Sequence, residues 1–214
     1  MYRFAYLTYG LFVASAGVTF VFLEDIERNF GISALGIGAI SAVSFVMALV
    51  AALGLSAIGD RGHVVELAVV AFGCAIAGNI WLGLASTFWE FFLARSLSSL
   101  GIGLFGIAAR KALIGVSVDG SAEKLGGLIS AAVAGFILGP SLGAWLGQYG
   151  GMLTPYLVLT GALLLCAGPS ILWLRTAPIA TSNSIASRSI PSLPIMTQSL
   201  DAAAKSRGRL ASCR

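Results

Sequence analysis

Six long, predominantly apolar stretches dominate this chain, at Phe4 to Leu23, Ala34 to Ala57, Val64 to Ser86, Thr87 to Ala109, Leu125 to Gln148 and Pro155 to Leu174. A hydrocarbon layer about 30 Å thick needs roughly 20 such residues per helix. Apolar side chains lie on every face of these runs, and in lipid only helices and closed barrels satisfy their own backbone groups. The expected fold is therefore all-α, a polytopic bundle of six membrane-spanning helices. With 57% apolar and 10% charged residues, against roughly 45–50% and about 25% in soluble domains, the composition excludes an ordinary water-soluble fold.

The charges between the runs predict orientation. With a cytoplasmic N-terminus, the inner segments hold Arg3, Arg61, Arg110, Lys111, Lys124 and Arg175, and the outer ones hold only Arg28. This bias puts both termini on the cytoplasmic side of the plasma membrane. A cleavable leader ending near Ala14-Ser15-Ala16 is the rival reading of the first run, but apolar sequence continues to Leu23, long enough to span. The basic residues form no single stripe, so no nucleic-acid partner is expected, only the lipid bilayer.

A domain of residues 1–175 is expected to end where composition changes. Residues 176–214 contain no Phe, Trp or Tyr, one Gly and eight Ser. That stretch reads as a disordered, basic cytoplasmic tail, with a short helix around Leu200 to Arg209 as an option for touching anionic headgroups. Cys74, Cys166 and Cys213 are odd in number and widely spaced, which predicts neither a disulfide framework nor a zinc site.

Few residues carry chemistry. Arg95 lies about eight residues into the fourth run, roughly 12 Å from its outer end. A guanidinium there costs about 2.5–3.5 kcal/mol on insertion scales, so it is expected to face the bundle interior or water. Glu90, five positions earlier, is poorly placed as its partner. Carbonyls, the Ser98 hydroxyl, water and Asp25 are the better options. Gly135, Gly139, Gly143 and Gly147 form a stripe at a spacing of four, a bare groove for another helix, and Pro140 removes a backbone donor and should bend the helix. The turn Asp60-Arg61-Gly62-His63 makes the second and third runs antiparallel neighbours, and His63 reads as a loop residue. Gly101-Ile-Gly103-Leu-Phe-Gly106 matches a dinucleotide fingerprint but sits inside an apolar helical run, which makes it a false positive. No nucleophile–base pair, paired carboxylates or metal spacing appears, so neither an enzyme nor a cofactor or metal is expected.

In order, these segments resemble the N-terminal half of a major facilitator superfamily transporter. Gly59-Asp60-Arg61-Gly62-His63 is similar to the family's loop between spans two and three, one residue short and with His63-Val64 in place of its basic pair. Ala94-Arg95-Ser96-Leu97-Ser98-Ser99-Leu100-Gly101-Ile102-Gly103 resembles the fourth-span signature, with Ser99 where a glycine is usual. Gly135 to Gly143 resembles the fifth-span G-x-x-x-G-P-x-x-G signature of proton-coupled efflux antiporters. The resemblance implies that Asp60 and Arg61 belong to an inner-face charge network. It implies that Arg95 is linked to proton or substrate coupling, and that Gly135, Gly139, Pro140 and Gly143 are a hinge and packing surface against the other half.

The family holds substrate between two halves that rock against each other. The expected function is thus secondary transport, efflux of a small molecule, with a copy of this chain or a separate chain supplying the second six-helix half. The rival expectations are a truncated, non-transporting fragment and a membrane scaffold whose tail recruits a partner. The orientation has a direct test. In a cysteine-free background, Arg28→Cys should react with a membrane-impermeant maleimide on intact cells, and Lys124→Cys should react only after permeabilisation.

Overall fold

The computed structural model describes residues 3–116 and 121–176, apart from the side chains of Asp60, Val116 and Ser121. The expected tail beyond Thr176 and its optional helix lie outside the described residues, as does Cys213. All secondary structure in the described residues is helical: α1 (Arg3–Val21), α2 (Leu23–Phe30), α3 (Ala34–Val50), α4 (Ser56–Asp60), α5 (Val64–Leu84), α6 (Phe88–Val116), α7 (Ser121–Gly150) and α8 (Leu153–Thr176). Among the described residues, six helices are long and apolar enough to cross a membrane: α1, α3 continued into α4, α5, α6, α7 and α8.

The boundaries differ from the sequence reading in three instructive places. The first run was expected to continue to Leu23, but α1 stops at Val21 and the chain breaks at Phe22 into α2. Acids at Glu24 and Asp25 open α2, and Gly31, in the left-handed conformation at φ 64°, closes it. The second run passes through a π-helical turn, Ala51–Leu55. There α6 comes so close that a Cβ on Gly103 would stand 2.6 Å from the Ala51 Cβ. The fourth helix continues past Ala109 to Val116, so Arg110 and Lys111 are helical. Arg110 folds back to donate to the Gly106 carbonyl at 2.8 Å, and Lys111 reaches the Ser56 carbonyl at 3.1 Å.

Close packing centres on α6, the most buried of the six long helices, whereas α7 is the least buried. α6 lies against α5 and α3, α1 lies against α7 and α8, and α5 also packs on α8. Phe12, Phe72 and Phe105 join α1, α5 and α6, with Phe12 stacked on Phe105 at 4.8 Å and tilted against Phe72 at 5.1 Å. The glycines of the false fingerprint have a structural use. A Cβ on Gly101 would stand 2.6 Å from the Ala71 carbonyl oxygen, so its bareness lets α5 approach.

The fifth-span stripe is filled from within the chain. Gly135, Gly139 and Gly143 are buried on a helix whose other faces are largely open. A Cβ on Gly135 would overlap the Gly10 carbonyl, one on Gly139 the Ala14 carbonyl, and one on Gly143 would stand 3.2 Å from Val18 Cγ1. In return Gly17 admits the Pro140 ring. The Phe136 carbonyl, which Pro140 deprives of its helical donor, faces the same glycine. The helix that fills this groove is α1. Pro140 lies in a helix that continues unbroken from Ser121 to Gly150.

Gly139→Val should cost about 1–3 kcal/mol by overpacking, read as a lower melting temperature in detergent. Gly161→Ala, with nothing within 4 Å of the added carbon, should instead stabilise α8 by up to about 1 kcal/mol.

Candidate functional site

Arg95 is the largest fully buried side chain, only 1% exposed. It is held by α1. Its Nη1 donates to Thr19 Oγ1 at 2.9 Å and its Nη2 to the Ala16 carbonyl at 3.0 Å. The Phe20 ring lies 5.9 Å from the guanidinium carbon. Thr19 is itself tied to α8 through Tyr156 at 2.9 Å between hydroxyl oxygens. One charge thus connects α6, α1 and α8.

The sequence reading of Arg95 as inward-facing and carbonyl-bonded agrees with this geometry, and two of the proposed partners do not. Ser98 turns away and donates to Asn79 Oδ1 at 2.9 Å, joining α6 to α5. Asp25 is exposed on α2. Glu90 is occupied locally, accepting from the backbone N–H of Ser86 and Thr87 and from the Ser86 hydroxyl, which caps the start of α6. No carboxylate pairs with Arg95 among the described residues; Glu24 pairs with Arg28, and Glu66 lies 3.9 Å from the His63 ring.

The turn between α4 and α5 carries the remaining candidates. Asp60 ends α4 and its side chain lies outside the described residues. Arg61 is exposed, with its N–H bonded to the Ile58 carbonyl at 3.2 Å. Gly62, at φ 92°, makes the reversal that a side chain would strain. His63 is exposed at the start of α5, as a loop residue should be. Cys74 and Cys166 are free thiols.

Sequence reasoning missed Thr19, Tyr156, Ser44 and Ser99. A signal for Thr19 was present, since Thr8, Ser15 and Thr19 recur at helical spacing and are buried on α1. Thr8 bonds Ser170 of α8 at 2.8 Å, so this polar edge is the seam between α1 and α8 at both ends. Ser44 of α3 and Ser99 of α6 line a cavity of about 150 Å³ with Arg95, Ala16 and Phe20.

The family model described as Major Facilitator Superfamily matches residues 5–207. This chain belongs to that superfamily. It is 28% identical over 195 residues to the multidrug resistance protein MdtG of Klebsiella pneumoniae, covering 85% of this chain and 46% of the relative. With MdtG of Enterobacter lignolyticus it shares 29% over 189 residues, 84% of this chain and 41% of the relative. With MdtG of Citrobacter koseri it shares 31% over 169 residues, 73% and 40% respectively. The chain therefore spans about half the length or less of these curated relatives.

The three-helix network has a graded test. Thr19→Val strands both the Arg95 Nη1 donor and the Tyr156 hydroxyl, and should cost about 1–3 kcal/mol. Tyr156→Phe removes a hydroxyl and leaves Arg95 bonded to Thr19, and should cost about 0.5–1.5 kcal/mol. Thermal unfolding of the detergent-solubilised chain measures both.

Proposed function

We propose that this six-helix bundle is one half of a proton-coupled efflux transporter in the plasma membrane, working with a second six-helix half supplied by a copy of itself or by another chain. The observation that carries the reading is Arg95. A guanidinium deep in a span, with no carboxylate beside it, is costly to bury and is rarely kept for packing alone. Superfamily membership and the multidrug resistance for which the MdtG relatives are named favour transport over catalysis, and multidrug efflux over a narrow nutrient substrate.

The pairing follows from alternating access, in which two halves rock about a site near the midplane. Large side chains on α3, the π-helical turn that follows it and α7, among them Phe45, Leu53, Ile137 and Trp145, are exposed. They suit either lipid or a second bundle. The glycine stripe and Arg95 are both buried within this chain, so neither by itself calls for a second half. The remaining motive is that the relatives are about twice as long.

In sealed vesicles that contain this chain and its second half, an imposed pH gradient should drive flux of a fluorescent multidrug substrate. Arg95→Ala should abolish most of that flux, and Arg28→Ala should leave it unchanged. Flux that survives Arg95→Ala removes the arginine from coupling, and a chain that crosslinks to no second half in native membranes removes the transporter reading.

A further inference from the structure

Two hydroxyl pairs join α1 to α8. Thr8 meets Ser170 at 2.8 Å toward the N-terminal end of α1, and Thr19 meets Tyr156 at 2.9 Å toward its C-terminal end. All four residues are buried. As ties between two helices the pairs are equivalent, each a neutral hydrogen bond away from water. They differ in one respect: Thr19 Oγ1 also accepts from Arg95 Nη1 at 2.9 Å, so only this pair continues to a charge among the described residues.

A threonine in a helix divides between two side-chain rotamers, because its Oγ1 can also bond a carbonyl three or four residues earlier. Hydroxyls elsewhere on these helices take that bond: Ser15 donates to the Phe12 carbonyl and Ser96 to the Phe92 carbonyl, each at 2.7 Å. Thr19 turns instead to Arg95 and Tyr156. The carbonyls within its backward reach are those of Ser15 and Ala16, and the Ala16 carbonyl is the acceptor of Arg95 Nη2 at 3.0 Å. The Thr19 rotamer therefore governs both bonds that hold the guanidinium. Facing Arg95, it accepts one and leaves the acceptor of the other free; turned back, it drops the first and competes for the second. A guanidinium only donates, so Thr19 must offer it a lone pair. The Tyr156 hydroxyl, which can both donate and accept, is the group that holds Thr19 in that setting.

We propose that Tyr156 is a positioning residue for Arg95: acting through Thr19, it keeps the guanidinium fixed on α1, so that the first turn of α8 controls the coupling arginine. This rests on the transport reading and deepens it by naming what regulates its arginine. It also gives Tyr156 an effect on transport that a tie between helices does not have, and Ser170, which removes the other α8 hydroxyl from the same seam when mutated, is the matched control.

In the sealed-vesicle assay Tyr156→Phe should lower the maximal flux roughly tenfold with KM unchanged. Ser170→Ala should leave both as in the wild type, although each variant lowers the melting temperature. In a Thr19→Val background Tyr156→Phe should lower the flux no further, because its effect runs through Thr19. A second readout needs no transport: nitrogen-15 NMR of the arginine-labelled full chain in detergent, with the Arg95 guanidinium signals identified by their loss in Arg95→Lys. The wild type and Ser170→Ala should show separate Nη signals, because two bonds to α1 slow rotation about the Cζ–Nη bonds, and Tyr156→Phe should merge them. The proposal is overturned if the Arg95 signals stay separate in Tyr156→Phe, if they merge while flux is unchanged, if Ser170→Ala lowers flux as far as Tyr156→Phe does, or if the losses from Thr19→Val and Tyr156→Phe add. Wild-type vesicles without flux would remove the transport reading, and the NMR comparison would still decide whether Tyr156 positions Arg95.

Discussion

A single buried positive charge organises this bundle. Arg95 sits within α6, in the most buried span, and its two bonds to α1 turn a cost of several kcal/mol into a constraint. α1 must present both a free carbonyl and the Thr19 hydroxyl to the guanidinium, and Thr19 must in turn face Tyr156. The register of three helices follows from satisfying one side chain. Without bulk water to substitute for a missing partner, a slip of one residue would strand several polar groups at once.

α1 serves two unlike neighbours because it carries two unlike faces. Its small face, Gly10, Ala14 and Gly17, meets the bare stripe of α7 at backbone distance. Its polar and aromatic face, Thr8, Phe12, Ser15 and Thr19, is buried toward the body of the bundle. In lipid, apolar burial alone barely favours one helix contact over another, so close backbone approach and hydrogen bonds decide the pairing. The two faces of α1 use one mechanism each. α7, held chiefly along one line of glycines, is the most open helix of the six.

Function in this superfamily requires something to bind and something to move. The same charge contributes to both requirements in the reading offered here. The guanidinium of Arg95 is held in place by α1, and Arg95, Ser44 and Ser99 are among the residues that line one cavity. The false dinucleotide fingerprint makes the complementary point: its glycines lie roughly two to three turns beyond Arg95 and are consumed by helix contacts.

Much of this was legible in the sequence for a physical reason. Six spans follow from length and apolarity, which are local and additive, and Arg95 is conspicuous because charge is rare in such runs. The superfamily was legible in the Asp60, Arg95 and Gly135 to Gly143 segments. What the sequence left open depends on rotation of helices about their axes. Runs that are apolar all round carry little periodic signal. So the occupant of the glycine stripe, the turning away of Ser98 toward Asn79, the break at Phe22 and the meeting of Ser44, Arg95 and Ser99 around one cavity were decided only by tertiary packing, which fixes the faces that composition cannot.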